Sequence, residues 1–208
     1  MKAIDGLQLD AEHRAVLKPN EPVQFEDGSM HRLPRFFLEV PAWQQARELR
    51  IASHFTLAEL MTVDCREAPL QLRQFPHYVP CAVLHLARVL ELIRVEAGAP
   101  VFVSANGGYR SPSHRLNSPT SMHQWATAAD IYRIGDTYLN DEKSIERYAR
   151  IASGIGEDVF VRPYAEGGDH LHLDIGFATF TPRELSEQLI AEGHASACPG
   201  RAEARPSE

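Results

Sequence analysis

The sequence predicts an α+β fold with a small, largely antiparallel sheet and flanking helices. Three observations carry that prediction: short β-rich runs bounded by turn residues, a few longer segments with helix caps and a 3.6-residue apolar period, and an order that mixes the two without strict alternation. A chain of 208 residues with 44% hydrophobic and 24% charged residues is long enough for one sizeable core.

Residues 1–50 read as an N-terminal extension with local order. Val23–Phe25 and the stretch around Met30 flank Asp27-Gly28, a turn dipeptide that favours a hairpin. Phe36–Val40 reads as a strand ended by Pro41, with Phe36 and Phe37 as core side chains. The main domain is placed at residues 51–192. Thr56-x-x-Glu59 has the spacing of a capping box, so a helix is expected from Leu57. A Pro-rich polar loop follows. Ala82–Ala97 is apolar over most of its circumference, with His85, Arg88, Glu91 and Arg94 as a polar stripe and Gly98 closing it.

Pro100–Ser104 reads as a strand that leaves through the loop Gly107–Pro112, and Ala128–Ile134 as a second strand. Asp141 is placed as the cap of a helix over Glu142–Ser153 that ends at Gly154. Val159–Val161 and His170–Ile175 form two further strands. Thr181-Pro182-Arg183-Glu184 is a second capping box opening a last helix to about Ala191, and residues 193–208 form a polar tail.

The net charge of −7 and pI near 5.8 argue against a nucleic-acid partner. No stretch approaches the roughly 18 apolar residues of a membrane span, and the N-terminus lacks the apolar centre of a secretion signal. The three cysteines, Cys65, Cys81 and Cys198, form no close pair, which favours reduced thiols over a disulfide framework or a cysteine zinc cluster.

The chemistry gathers in two stretches. Ser121–Asp130 places His123 and Asp130 seven positions apart beside small residues, and a carboxylate in the apolar run around Asp130 needs a partner. His170-Leu171-His172-Leu173-Asp174 alternates, so on a strand both imidazoles and the carboxylate share one face. His123, Asp130 and His172 would offer a zinc ion two imidazoles and one carboxylate, with a position left for water and a net charge near +1. His170 is then placed to act as general base, and Asp174 to orient a histidine through its second nitrogen. Arg110 is a candidate for binding a substrate carboxylate or a developing oxyanion, and Tyr109 and Ser121 are weaker candidates for substrate hydrogen bonds. His54, His77, His85 and His114 are assigned no role in the site.

Gly-Gly-Tyr-Arg-Ser-Pro-Ser-His at 107–114, Ser-x-His-x-x-Ala-x-Ala-x-Asp at 121–130 and His-x-His at 170–172 together resemble the zinc D-Ala-D-Ala carboxypeptidase family of murein peptidases. That family shares its metal core with lysostaphin-type peptidases and the hedgehog signalling domain. The resemblance covers roughly residues 52–177, including His54–Leu60, and leaves the first 50 residues without a counterpart. It implies one Zn²⁺ held by His123, Asp130 and His172, catalytic help from His170, a substrate contact from Arg110, and peptidoglycan stem peptides as substrate. Ala126 departs from the family's glycine, which matters if that position needs a positive φ. A D,D-carboxypeptidase and an L,D- or D,D-endopeptidase both fit, and a non-catalytic zinc-containing wall-binding module of the same fold stays open. A wall substrate without a visible export signal implies phage-type release or a non-classical route.

Overall fold

The structure, a computed structural model, describes residues 1–61, 73–165, 168–185 and 187. It is α+β, and every ladder between its strands is antiparallel. The helices are α1 (Ala11–Leu17), α2 (Trp43–Glu48), α3 (Val83–Ala97) and α4 (Glu142–Ser153). The strands of the N-terminal part are β1 (Lys2–Asp5), β2 (Pro22–Gln24), β3 (Met30–Arg32), β4 (Phe36–Val40) and β5 (His77–Pro80). The remainder supplies β6 (Val101–Val103), β7 (Ala128–Ile134), β8 (Thr137–Tyr138), β9 (Phe160–Val161) and β10 (Leu171–Asp174).

The sheet that matters for the site runs β6-β7-β10-β9, with β8 paired to the far end of β7. Alternation along β7 and β10 sends Ala129, Ile131, Leu171 and Leu173 into the core, all fully buried, and leaves Asp130, His172 and Asp174 on the opposite face. α3 supplies the other side of that core through Leu86, Ala87, Leu90 and Ile93, and each such buried large side chain contributes about 1.5–3 kcal/mol. Its end follows from Gly98, whose φ of 61° lets its N–H reach back to the carbonyls of Arg94 and Val95. α4 starts where Asp141 Oδ1 accepts the Ser144 N–H at 2.9 Å.

Residues 1–50 do not build a core of their own. β4 pairs with β1 on one edge and with β5 on the other, and Val16, Leu17, Phe37 and Val40 join the same apolar cluster as α3. The Asp27-Gly28 hairpin forms as expected, with Gly28 at φ 83° and Asp27 Oδ1 accepting from the Ser29 N–H and hydroxyl. One expectation changes in kind. Thr56 and Glu59 make the capping box, but the helix they open is a 3-10 turn, Leu57–Leu60, because Met61 is drawn into a parallel bridge with Tyr109. The last helix is visible at 183–185, and its expected course to Ala191 lies largely outside the described residues, as do the polar tail, Cys65 and Cys198.

Asp5 ties β1 to the loop before β4. It receives Arg35 Nε at 3.0 Å on both oxygens and the Leu7 N–H at 3.0 Å. Burial works to raise its pKa, but the Arg35 and Leu7 hydrogen bonds outweigh it and hold the carboxyl below its ordinary value. A group with a depressed folded-state pKa stabilises above its unfolded value and loses that contribution as pH falls through the folded one. Asp5→Asn is therefore expected to cost about 1–3 kcal/mol at pH 7. In urea titrations the gap between wild type and variant should close as pH falls below the ordinary carboxyl range. A gap that persists undiminished at lower pH would dismiss the ion pair as its source.

Candidate metal centre

The site is assembled by a register and a loop. In the β7–β10 ladder His172 stands directly opposite Asp130, on the face away from the core. The third member comes from the 3-10 turn Met122–Trp125, which carries His123 up to β7. That turn closes through Ala126, which is fully buried and left-handed at φ 57°, ψ 34°, its N–H bonding the His123 carbonyl at 3.2 Å. The positive φ that a glycine would favour is thus present with alanine in place. Ala126→Gly is expected to change stability by less than about 1 kcal/mol, since relief of left-handed strain offsets the lost methyl burial. Ala126→Val should cost about 2–4 kcal/mol in urea unfolding, adding a β-branch to strain and overpacking. A neutral valine variant would exclude the left-handed turn.

His123, Asp130 and His172 are all buried, and one ligand atom from each lies within 4.8 Å of the others. Asp130 Oδ1 is 3.3 Å from His123 Nε2 and 2.7 Å from His172 Nδ1. Donors bonded to one ion at 2.0–2.2 Å in a tetrahedral arrangement stand roughly 3.3–3.5 Å apart, so the spacing is at the scale of shared coordination. These three residues could hold a metal ion.

Partners behind the donors fix their orientation. His123 Nδ1 donates to the Gly108 carbonyl at 2.8 Å, which leaves Nε2 as the lone pair facing Asp130. Gly108 can lie there because it lacks a side chain: a Cβ would stand 2.3 Å from the Leu60 carbonyl oxygen. Gly107 accepts the Asp130 N–H at 2.8 Å. Its own Cβ would meet the Asp130 carbonyl oxygen at 2.6 Å. The paired glycines therefore let the loop thread between the Thr56 turn and β7. On the other side His172 Nε2 faces Asp174 Oδ2 at 3.6 Å.

No protein-family model, curated protein or solved structure matches the chain.

Asp130 is shared between two kinds of partner. Its Oδ1 faces the imidazoles, and its Oδ2 accepts from Arg110 Nη2 at 2.5 Å. Burial works to raise the Asp130 pKa, but the His123 and His172 imidazoles that face it prevail and hold it far below the carboxylate range. Burial pushes the His123 pKa down despite Asp130. For His172 burial acts in the same direction, but the hydrogen bond to Asp130 and the facing Asp174 carboxylate win and raise it.

His170 lies one residue before β10, and its side chain is 34% exposed. Its Nε2 points at the cluster, 3.6 Å from Asp130 Oδ1, while Nδ1 meets Asp169 Oδ1 at 2.7 Å. Arg110 reaches the site as a partner of Asp130 and also donates to His123 Nε2 at 3.1 Å and, through Nε, to the Asn106 carbonyl at 2.5 Å. Tyr109 is not brought to the open side of the cluster. It is 5% exposed and its ring packs in the core, where it is poorly placed to meet a substrate. Ser121 only begins the turn carrying His123, and no hydrogen bond links it to the three donors. Of the histidines assigned no role, His54 pairs with Glu91 on α3, His77 stacks on Phe75 and His114 is buried in the Pro-containing loop. Sequence reasoning missed the Gly108 carbonyl and the Asp169 carboxylate. Adjacency to His170 was the available signal for Asp169; none pointed to Gly108.

Proposed function

We propose that the chain is a zinc-dependent peptidase with the hedgehog/D-Ala-D-Ala-peptidase-like fold, and that it hydrolyses peptide bonds in peptidoglycan stem peptides. The observation that carries the reading is the crowding at Asp130 Oδ1: two buried imidazoles at 3.3 and 2.7 Å, with a third, partly exposed one at 3.6 Å. Two nitrogen donors, one carboxylate and an adjacent unligated base form the donor set of a catalytic rather than a closed structural zinc site. A zinc ion held by His123 Nε2, Asp130 Oδ1 and His172 Nδ1 would supply Lewis acidity to a water and to a substrate carbonyl.

The chain's own residues supply the rest. Nδ1–H of His170 donates to Asp169, which leaves Nε2 as the acceptor of a proton from the attacking water. The water oxygen adds to the carbonyl carbon, the C–N bond breaks, and the same Nε2 returns the proton to the departing amine. Products are a carboxylate and an amine. Arg110, a permanent cation against Asp130, is the residue assigned to steady negative charge developing on the carbonyl oxygen. Asp174 backs His172 and holds its ring.

Purified sacculi incubated with the zinc-loaded protein should release new amino groups, with the cut bond identified by mass spectrometry. A chelator should stop the release and added zinc restore it. Sacculi that are bound but left intact under every metal condition would overturn the peptidase reading in favour of a non-catalytic wall-binding module.

A further inference from the structure

The residue opposite His172 on its second flank has no role so far. Arg162 donates its N–H to the His172 carbonyl at 3.0 Å, continuing the β9–β10 register one step beyond β9. Residues directly opposite in an antiparallel pair share a face, so Asp130, His172 and Arg162 form one row across three neighbouring segments. The next row is Ala128, Asp174 and Phe160, and it ends in a phenylalanine that is 58% exposed. The outer edge of the metal face thus presents a cation and an apolar ring two residues apart.

Arg110 and Arg162 differ in what they are free to do. Arg110 is 12% exposed at the side chain and bonds Asp130, His123, Asn106 and Leu116. Arg162 is exposed, and among the described residues its guanidinium has no hydrogen-bond or ion-pair partner. A guanidinium with no partner among the described residues, beside the candidate metal centre, is suited to a carboxylate, which it meets through two parallel N–H bonds.

We infer that Arg162 is a specificity-determining residue that clamps the free C-terminal carboxylate of a peptide substrate, with Phe160 covering the apolar side chain of that terminal residue. The inference rests on the peptidase reading for the identity of the ligand. It refines that reading toward removal of a terminal residue rather than cutting within a chain.

The test is calorimetric binding of diacetyl-Lys-D-Ala-D-Ala and of its C-terminal amide to the full-length chain freed of metal, so that nothing is cleaved. Wild type should bind the free acid about 10- to 100-fold more tightly than the amide, the range set by one charge-assisted pair. In Arg162→Gln that ratio should fall toward one, and Arg162→Lys should keep part of it as a point charge without the fork. Thermal melts of both variants check folding; the side chain has no described partner to lose. A wild-type ratio near one, or a ratio unchanged in Arg162→Gln, overturns the clamp. Acid-selective binding that depends on Arg162, in a zinc-loaded protein that cleaves neither peptide, would instead sink the peptidase reading and leave the clamp standing.

Discussion

His172→Ala is expected to remove the metal and to lower kcat/KM on muropeptides by roughly a thousandfold or more, about 4 kcal/mol of transition-state stabilisation. The variant takes away one of three donors and the 2.7 Å partner of Asp130 Oδ1. It should still fold, because Arg110 continues to hold Oδ2 and the β7–β10 ladder is made by backbone groups. Elemental analysis of the purified variant, muropeptide digestion and a urea midpoint together separate lost metal from lost structure. Asp174→Asn is the milder companion, with metal affinity falling about 10- to 100-fold, as for other partners that orient a ligand. Undiminished digestion by His172→Ala would dismiss the metal assignment.

The second large effect is on stability. Trp125 is fully buried, donates Nε1–H to the Arg32 carbonyl at 2.9 Å, and meets Phe177 edge-on at 5.3 Å and Phe25 at 6.2 Å. It therefore packs the hairpin of the first 50 residues onto the turn that carries His123. Trp125→Ala should cost about 3–5 kcal/mol, a large share of the 5–15 kcal/mol that keeps an ordinary domain folded. Trp125→Phe, which keeps most of the ring and loses the hydrogen bond, should cost about 1–2 kcal/mol. Urea unfolding measures both, and limited proteolysis should cut the Trp125→Ala protein first near Asp27-Gly28. A cost below about 1 kcal/mol for alanine would show that this ring does not anchor the hairpin.

Much of this was legible in the residues where local chemistry decides the outcome. Asp141 and Gly154 bound α4, Gly98 ends α3, and Asp27-Gly28 turns the first hairpin, each through a cap or a backbone preference acting within a few residues. Asp130 was legible because a carboxylate in an apolar run needs a partner, and His172 because His-x-His alternates on a strand; His123, a loop histidine, stood out only through its spacing from Asp130 and the motif resemblance. What escaped depends on contacts distant in sequence. α1 and α2 are seven and six residues long, too short for a periodic signal, and β5 is visible only once β4 lies beside it. The Thr56 box marked the start of a helix, but its 3-10 form is set by the approach of Gly108 and Tyr109 to Leu60 and Met61. Tyr109 looked available from its motif, and tertiary packing put it inside. Arg162 carries no motif at all; its position beside the centre exists only through the β9–β10 register.

The two oxygens of Asp130 have a consequence for how the protein is made. A buried carboxylate that waited for a cation from outside would have to be desolvated before its counter-charge arrived, and folding would then depend on metal supply. Arg110 removes that dependence by carrying a counter-charge within the chain, bonded to one oxygen while the other is left to the imidazoles. Folding and ion binding can thus be separate events: on the proposed reading, the chain becomes compact with Asp130 already paired, before any ion is bound.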